Sequence, residues 1–374
     1  MNQVRLNASH NYHELDNYYI SHGDKTILLV CDPSLSFLKL NDYYQHLEAR
    51  LGIKVLYFND FKPNPLYESV VKGVKIFNDL HCDSITAIGG GSAMDVAKCI
   101  KLYALMDHDI NYLEQTIVPN DIRLLAIPTT AGTGSEATRY AVIYYNGEKQ
   151  SVTSESCIPS TILLNPDVLK TLPLYQKKAT MMDALCHAIE SYWSVNSTSE
   201  SQNYSRNAIE MIMANKNGYL ANNEKANAAM LEAAHIAGQA INITQTTAGH
   251  AMSYKLTSLY GIAHGHAAAL CVAALFPYML NHTDRCIDQR GPAYLKNIFN
   301  KIADALHVNV DEASSFINDV IFDELELSVP SATEEEINIL THSVNPDRLK
   351  NNPVALDTQV IEQLYRSLLN VSKD

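Results

Sequence analysis

Three histidines stand in one otherwise apolar stretch of the sequence, 249-GHAMSYKLTSLYGIAHGHAAAL-270. A single buried histidine usually does no more than complete a hydrogen bond, but several imidazoles in one apolar segment favour a set of metal ligands. His250 and His264 are separated by Gly261, which predicts two neighbouring helices rather than one. His266 competes with His264 as a ligand, and it could instead support a ligand residue or face a cofactor.

A carboxylate and a further imidazole occur at helical spacing earlier in the chain. Asp183 and His187 are four residues apart, so a helix would place both side chains on one face. An exposed Asp–His pair has the same spacing, but the segment 181-MMDALCHAI-189 is apolar, and an unpaired buried carboxylate is costly. Together with His250 and His264, this pair predicts a site for one divalent metal, Fe²⁺ or Zn²⁺, with Mn²⁺ as a third option.

Three consecutive glycines end a predicted strand and begin a predicted helix, in 89-GGGSAMDVAK-98. Gly89, Gly90 and Gly91 let the backbone approach a ligand closely, and Ser92 is a candidate N-cap. The free N–H groups at the start of such a helix suit an anion, and a pyrophosphate is the obvious occupant. A tight strand-to-helix turn without a ligand is the alternative, since glycine turns are common.

A second loop and an aspartate strengthen the nucleotide interpretation. The segment 128-PTTAGTGSEAT-138 follows another predicted strand and is rich in small and hydroxyl side chains that can line a cofactor cleft. Both loops would lie at the carboxyl edge of a parallel sheet, where ligands bind. Asp32 ends the first predicted strand, where a carboxylate could bind a ribose and repel a 2′-phosphate, which favours NAD over NADP. A turn or cap aspartate is the alternative.

Two kinds of pattern divide the 374 residues. In residues 1–165, short β-rich runs alternate with helical spacing, which predicts an α/β domain with a parallel sheet covered on both faces. In residues 166–374, apolar positions recur at helical spacing, which predicts an all-α domain. We expect the first domain to bind NAD and the second to bind the metal and the substrate.

Charge and composition argue against several classes of protein. The formal net charge of −13 opposes nucleic-acid binding, which requires a basic face. No run approaches the roughly 20 apolar residues of a membrane span, and the polar N-terminus lacks the apolar region of a signal peptide. The seven cysteines form no CxxC pair, which is typical of reduced core cysteines in a cytoplasmic protein.

Together these motifs resemble the iron-containing (group III) alcohol dehydrogenases through nearly the whole chain. GGGSAMDVAK, PTTAGTGSEAT and the Asp–His–His–His set occur in the order and spacing of that family, and 63-PNP-65 is similar to its PNP turn. The resemblance implies a dehydroquinate synthase-like fold, NAD(H), one divalent metal and a homodimer or higher oligomer. The cofactor-binding residues that it implies are Asp32 for NAD preference, Asn64 in the PNP turn, Gly89, Gly90, Gly91, Ser92 and Asp95 at the pyrophosphate, Lys98 near the ribose, and Thr129, Thr130, Thr133 and Ser135 in the second loop.

Tyr254 and His266 are the candidate catalytic residues, and the proton for the product could come from Tyr254, from water or from the ribose. Many members of the family carry a further histidine four residues after the third metal ligand, and this sequence has Tyr254 at that place. A tyrosine can donate a proton, although its unperturbed pKa of about 10 makes it a poor base without help. His266 is the second candidate catalytic residue.

Within the family, 190-ESYWSVNSTSES-201 and residues 246–267 are most similar to the phosphonoacetaldehyde reductases, and a related activity reduces sulfoacetaldehyde. This similarity implies a small anionic aldehyde as substrate. A guanidinium matches phosphonate or sulfonate oxygens in a fork geometry. The candidate anion ligands are Arg139, Asn196, Ser197 and Lys255. A surface charge, or a contact with the cofactor phosphates, is the alternative for each cation.

The predicted function is therefore the metal-dependent, NADH-linked reduction of a small anionic aldehyde to its alcohol. Sulfoacetaldehyde to isethionate and phosphonoacetaldehyde to 2-hydroxyethylphosphonate are the two predicted reactions. A general short-chain alcohol or 1,2-diol dehydrogenase of the same family is the nearest alternative. Two alternatives come from other classes: a dehydroquinate synthase-like lyase, which would not consume NADH stoichiometrically, and a non-catalytic metal- or nucleotide-binding protein.

Overall fold

The computed structural model describes residues 3–371, and the chain divides into two compact units, Met1–Leu172 and Pro173–Asp374. Residues 1–2 and 372–374, which end the two predicted domains, lie outside the described residues. Among the helices that are described, none has both the length and the apolar character needed to cross a membrane.

The centre of the N-terminal unit is a six-stranded sheet in which every pair of neighbouring strands is parallel. Parallel strands covered on both faces are apolar throughout, and residues 27–30 are fully buried accordingly. The strands of this unit are β1 (Val4–Leu6), β2 (Thr26–Cys31), β3 (Lys54–Phe58), β4 (Ser84–Gly89), β5 (Arg123–Pro128), β6 (Tyr140–Tyr145), β7 (Glu148–Thr153) and β8 (Thr161–Leu163). The sheet order is β1-β8-β5-β4-β2-β3.

Helices connect the parallel strands, as the predicted α/β pattern requires. They are α1 (His13–His22), α2 (Lys39–Gln45), α3 (Leu47–Leu51), α4 (Tyr67–Asp79) and α5 (Gly91–Tyr103). Strand β2 has β3 on one side and β4 on the other, so the strand order reverses between β2 and β4. Ligands of open α/β sheets bind at the carboxyl ends of strands beside such a reversal. Asp32 follows β2 at this reversal, and Gly89 ends β4 there.

The sequence patterns did not reveal four strands of the N-terminal unit. β1 and β8 have three residues each, which is too short to give a period. β6 and β7 form an antiparallel hairpin outside the main sheet. Its turn is made by Asn146 and Gly147, both with positive φ, and an Asn-Gly pair between β-rich runs is the signal that should have predicted it.

The C-terminal unit is mainly helical, as predicted, with one small parallel sheet as an addition. Its helices are α6 (Leu174–Trp193), α7 (Ser199–Leu220), α8 (Glu224–Thr244), α9 (Ala248–Tyr260), α10 (His264–Asn281), α11 (Pro292–Leu306), α12 (Ala313–Asn318), α13 (Glu334–Ser343), α14 (Pro346–Leu349) and α15 (Thr358–Leu368). A π-helical turn follows α12 over Asp319–Glu324, and the two-residue strands β9 (Ser331–Ala332) and β10 (Asn370–Val371) pair with each other. Helix α6 is buried on almost all sides, which is typical of the central helix of such a unit.

The histidine-rich stretch forms two helices, as its glycine predicted. Helix α9 ends at Tyr260, and Gly261 follows it in the left-handed conformation with φ 66°. Helix α10 begins at His264 after a three-residue connection. His250 and His264 therefore project from two neighbouring helices.

Candidate functional site

Three predicted ligands come together in the C-terminal unit. Asp183 and His187 lie one turn apart on α6, and His250 lies on α9. One potential ligand atom from each of the three lies within 4.8 Å of the other two, and all three residues are buried. The rings of His187 and His250 stack with their centroids 4.3 Å apart. The chain thus brings together a carboxylate and two imidazoles from positions up to 67 residues apart, at the spacing that a single cation requires.

The atoms of this cluster suit a cation. Asp183 Oδ1 and His250 Nε2 lie 3.4 Å apart, and neither forms a hydrogen bond with a described residue. Buried polar atoms of this kind need a partner. Burial alone would raise the pKa of Asp183, but His187, His250 and His264 outweigh burial and hold that pKa well below its usual range. A buried carboxylate that stays ionised beside imidazole nitrogens fits a divalent metal such as iron or zinc.

His264 lies beside the cluster, at the first position of α10. Its ring centroid is 5.4 Å from that of His250, and Tyr254 stacks on its other side at 5.4 Å with the rings nearly parallel. The next residue, Gly265, packs against α6, because a β-carbon there would lie 2.0 Å from Ala179 O and 2.6 Å from Asp183 Cβ. This close packing brings the start of α10 to the cluster, and the role of His264 as the fourth ligand stays a prediction.

Glu190 is a functional candidate that the sequence analysis did not identify. It lies on α6 seven residues after Asp183, so the two carboxylates and His187 follow one face of the helix. Its side chain is fully buried and accepts a hydrogen bond from His250 Nδ1 at 3.0 Å. Burial alone would raise the pKa of Glu190, but His250 outweighs it and lowers the pKa. The i, i+4, i+7 spacing of Asp, His and Glu in an apolar helix could have indicated this residue.

His266 is held by hydrogen bonds at both ring nitrogens. Nδ1 lies 3.1 Å from Tyr175 Oη, and Nε2 lies 2.9 Å from the carbonyl oxygen of Ser328. Tyr175 also accepts a hydrogen bond from the N–H of Ala263, the residue just before α10. Because both nitrogens are engaged, we infer that His266 positions the start of α10 and His264 rather than transferring a proton.

In the N-terminal unit, the predicted glycine turn and the second loop face each other. A β-carbon on Gly90 would lie 3.6 Å from Thr130, and one on Gly91 would lie 3.2 Å from Thr133. Gly90 is the N-cap of α5 and, being a glycine, has no side chain to cap the helix. The helix begins one residue before Ser92, so Ser92 lies within the first turn and the expectation that it is the N-cap was wrong. Glycine backbone and threonine hydroxyls therefore line the start of α5, where an anion is favoured.

Asp32 is tied to this glycine turn. Its Oδ1 accepts from the N–H of Ser34 at 2.8 Å, and its Oδ2 accepts from the N–H of Gly90 at 3.3 Å. Gly89 has φ 155°, and a β-carbon there would lie 2.5 Å from Asp32 Oδ2. The carboxylate thus shapes the turn and remains partly exposed at the reversal of strand order. Of the remaining loop residues, Thr129 donates its N–H to Gly89 O at 3.0 Å, and Asn64 is exposed in the left-handed conformation.

Three predicted cofactor ligands instead form an internal network. Lys98 is fully buried, and its ammonium donates to Ser135 Oγ, to Thr138 O and Oγ1, and to Tyr140 O. Asp95 accepts from Ser135 Oγ at 3.0 Å. Burial lowers the pKa of Lys98, and the nearby carboxylate of Asp95 offsets this effect only in part. From these hydrogen bonds we infer that Lys98, Asp95 and Ser135 hold the second loop in place, and their contact with the cofactor stays a prediction.

The structure does not support Arg139 as an anion ligand. Its guanidinium donates to Glu155 at 2.9 Å and to the hydroxyl of Tyr140 at 3.1 Å. An arginine already paired with a carboxylate offers little to a second anion, since binding one would break the existing pair. The sequence could not reveal this pairing, because Arg139 and Glu155 come together only across the β6–β7 hairpin.

The other three predicted anion ligands differ in how they are bonded within the C-terminal unit. Asn196 donates to Asn351 Oδ1 at 2.9 Å, and the Ser197 carbonyl accepts from Arg290 at 2.7 Å. Both residues therefore belong to a loop that is hydrogen-bonded to other parts of the C-terminal unit. The side chain of Lys255 makes no hydrogen bond or ion pair within residues 3–371. Five residues of helix place Lys255 about 140° around α9 from His250, away from the metal-facing side. The role of these three residues as anion ligands stays a prediction.

A buried Asp–His–His cluster in a helical unit and a glycine turn at a strand reversal in an α/β unit are together typical of a metal-dependent dehydrogenase. Residues 6–166 match the model of the iron-containing alcohol dehydrogenases, and residues 177–369 match the model of the C-terminal region of that family. The chain belongs to the iron-containing alcohol dehydrogenase family. It is an NAD-dependent alcohol dehydrogenase or aldehyde reductase whose cofactors are NAD(H) and a divalent metal.

Three relatives show the range of activities in this family. The long-chain-alcohol dehydrogenase 1 of Geobacillus thermodenitrificans is 30% identical, over 80% of this chain and 78% of that protein. The phosphonoacetaldehyde reductase of Streptomyces viridochromogenes is 31% identical, over 75% of this chain and 77% of that protein. The sulfoacetaldehyde reductase of Bifidobacterium kashiwanohense, solved in complex with NAD⁺, is 26% identical with a TM-score of 0.86, over 98% of this chain and 96% of that one.

Proposed function

We propose that this enzyme interconverts a small aldehyde and its alcohol with NAD(H), at a metal held by Asp183, His187 and His250, with His264 as the fourth ligand. The observation that carries the proposal is the buried cluster whose three ligand atoms lie within 4.8 Å of one another. We further propose that the N-terminal unit binds NAD and that the C-terminal unit binds the metal and substrate. A cytoplasmic homo-oligomer remains our expectation.

The chain's own residues divide the chemistry between them. When bound, the metal polarises the substrate carbonyl and NADH supplies the hydride. Asp183 and the imidazoles provide the mixed oxygen and nitrogen ligand set that holds the cation in a buried place. Gly90 and Gly91 leave the backbone of the α5 N-terminus open to the pyrophosphate. Tyr254, stacked on His264, is our candidate for donating a proton from its hydroxyl group to the product oxygen.

The substrates that we propose first are sulfoacetaldehyde and phosphonoacetaldehyde. Support comes from two of the relatives, a phosphonoacetaldehyde reductase at 31% identity and a sulfoacetaldehyde reductase at 26%. Arg139, Asn196 and Ser197 give no support, since each is bonded within its own unit.

A neutral short-chain alcohol or diol is the second candidate substrate. The internal pairing of Arg139 with Glu155 favours it, because it removes the strongest predicted anion ligand. The similarity to a long-chain-alcohol dehydrogenase at 30% identity agrees with a neutral substrate class. The two candidates share the metal and the hydride transfer, and they differ only in what binds the rest of the substrate.

A substrate panel tests the proposal directly. Metal-loaded protein is assayed for NADH oxidation with sulfoacetaldehyde, phosphonoacetaldehyde, lactaldehyde and propionaldehyde at matched concentrations. We expect kcat/KM for one anionic aldehyde to exceed that for propionaldehyde by about 100-fold, equivalent to about 2.7 kcal/mol of transition-state discrimination. Equal rates on all four would support the second candidate. No NADH oxidation with any aldehyde, and no NAD⁺ reduction with the corresponding alcohols, would refute the proposed reaction.

The preference for NADH over NADPH tests the role of Asp32. We expect Asp32→Ala to reduce the preference by about tenfold, which corresponds to about 1.4 kcal/mol, because the carboxylate no longer repels a 2′-phosphate. The measurement is kcat/KM for each cofactor with one aldehyde. Ser34→Ala is the matched control, since it leaves the carboxylate and the backbone N–H that Asp32 accepts from. An unchanged ratio in Asp32→Ala would show that Asp32 only shapes the glycine turn.

A further inference from the structure

The carboxylate of Glu190 collects four donors in the buried interior of the C-terminal unit. One oxygen, Oε1, accepts from His250 N at 2.9 Å and from His250 Nδ1 at 3.0 Å. The other, Oε2, accepts from Thr247 N at 2.5 Å and from Thr247 Oγ1 at 2.9 Å. Glu190 itself has no exposed surface. The carboxylate therefore binds both the backbone at the start of α9 and the ring of His250.

This bonding pattern determines which nitrogen of His250 can hold a metal. An imidazole that donates from Nδ1 carries its lone pair on Nε2 when it is neutral. Nε2 is also the atom that lies 3.4 Å from Asp183 Oδ1, on the cluster side of the ring. Because Nδ1 and Nε2 are different atoms that point in widely different directions in the ring plane, Glu190 and Asp183 contact His250 at two separate positions. Glu190 itself is kept off the cluster by its own four hydrogen bonds.

A glycine beside His250 leaves room for the contact between Glu190 and His250. A β-carbon on Gly249 would lie 2.2 Å from Glu190 Oε1 and 2.8 Å from Val272 Cγ2. Any larger residue before His250 would push the carboxylate away. Thr247 Oγ1, in turn, accepts a hydrogen bond from Trp193 Nε1 at 2.9 Å, so the contact is supported by the end of α6 as well.

We propose that Glu190 is the positioning residue of the metal site, which fixes His250 as an Nε2 ligand and sets the direction of its lone pair. Carboxylates that accept from the distal nitrogen of a ligand histidine orient the ring and raise its affinity for the metal. The inference rests on the proposed metal site. It assigns to Glu190 neither metal coordination nor contact with substrate.

The test is a substitution of Glu190 that removes its negative charge and one acceptor oxygen but keeps the shape of the side chain. In Glu190→Gln, the amide can accept on one side only, so either the His250 or the Thr247 donors lose their acceptor. We expect folded protein whose Kd for Co²⁺ rises by about 10- to 100-fold and whose visible Co²⁺ absorption bands shift. Glu190→Asp keeps the charge but retracts it by one methylene, and we expect its Kd for Co²⁺ to lie between that of the wild type and that of Glu190→Gln.

Two controls separate this inference from its premises. Asp288→Asn alters another buried carboxylate of the same unit, which is paired with Arg290 rather than with a histidine of the cluster, and should leave the Co²⁺ affinity and spectrum unchanged. His250→Ala removes the proposed ligand itself. If His250→Ala keeps wild-type Co²⁺ affinity, the metal site is wrong. If His250→Ala loses Co²⁺ while the folded Glu190 variants keep the wild-type affinity and spectrum, only the role of Glu190 is refuted. A lower melting temperature with an unchanged spectrum would likewise mean that Glu190 is only structural.

Discussion

Asp183→Asn is expected to give folded protein without tightly bound metal, and with kcat/KM for aldehyde reduction at least about 10³-fold lower, or about 4 kcal/mol. The substitution keeps the shape of the side chain and removes the charge that attracts the cation. The wild-type carboxylate is buried to 2% exposure and yet remains ionised, because three nearby imidazoles lower its pKa. Its negative charge is therefore stabilised by the residues of the site and not by solvent. Metal content by mass spectrometry and steady-state kinetics would measure both effects.

NAD binding serves as the internal control for Asp183→Asn. The proposed cofactor residues lie in the N-terminal unit, so the Kd for NADH measured by fluorescence should stay unchanged. A variant that retains full metal content would show that Asp183 is not a ligand. Loss of metal together with loss of NADH binding would indicate general unfolding, and circular dichroism would identify that case.

His264→Ala examines the ligand whose role the geometry leaves as a prediction. Its ring lies 5.4 Å from that of His250, and the residue is only half-buried at the first position of α10. We therefore expect the variant to stay folded while it loses metal and activity together. Full metal content in His264→Ala would leave a site of Asp183, His187 and His250.

The second large effect is expected from Gly265→Ala, through packing rather than charge. Alanine favours a helix over glycine by about 1 kcal/mol, so propensity alone predicts a small stabilisation. The new methyl group would lie 2.0 Å from Ala179 O, a backbone atom that cannot move aside as a side chain does. The steric overlap of this methyl group should outweigh the gain in helix propensity and destabilise the C-terminal unit by about 3 kcal/mol. The start of α10 would shift away from α6, and metal affinity would fall with stability.

Gly261→Ala is the matched control for this prediction. Gly261 has φ 66° and nothing within 4 Å of its β-carbon position, so the substitution adds backbone strain without overlap. We expect a cost of about 1 kcal/mol and near-normal metal affinity in the folded protein. Thermal unfolding and Co²⁺ titration of both variants provide the comparison. Equal losses of stability and of metal affinity in the two would mean that close packing at Gly265 does not position the site.

Residue types and spacings were enough to predict most of the fold and the centre of the site. Apolar runs without alternation predicted a parallel sheet, and the helical period predicted the second unit. The four-residue spacing of Asp183 and His187 placed them on one face of α6, and Gly261 divided the histidines between two helices. These features are local, since each depends on residues that are close in sequence, within one helical turn or one strand.

The tertiary structure decided what each polar side chain near those motifs is bonded to. Arg139 and Lys98 stand beside motifs and looked available to a ligand, but Glu155 and the Ser135–Tyr140 segment bind them. Glu190 was not identified from the sequence, yet it accepts a hydrogen bond from His250, 60 residues further along the chain. Periodicity describes which face of an element is buried. The partner of a charged group depends on which elements pack together, because a buried charge or hydrogen-bonding group takes the nearest partner in space, however distant in sequence.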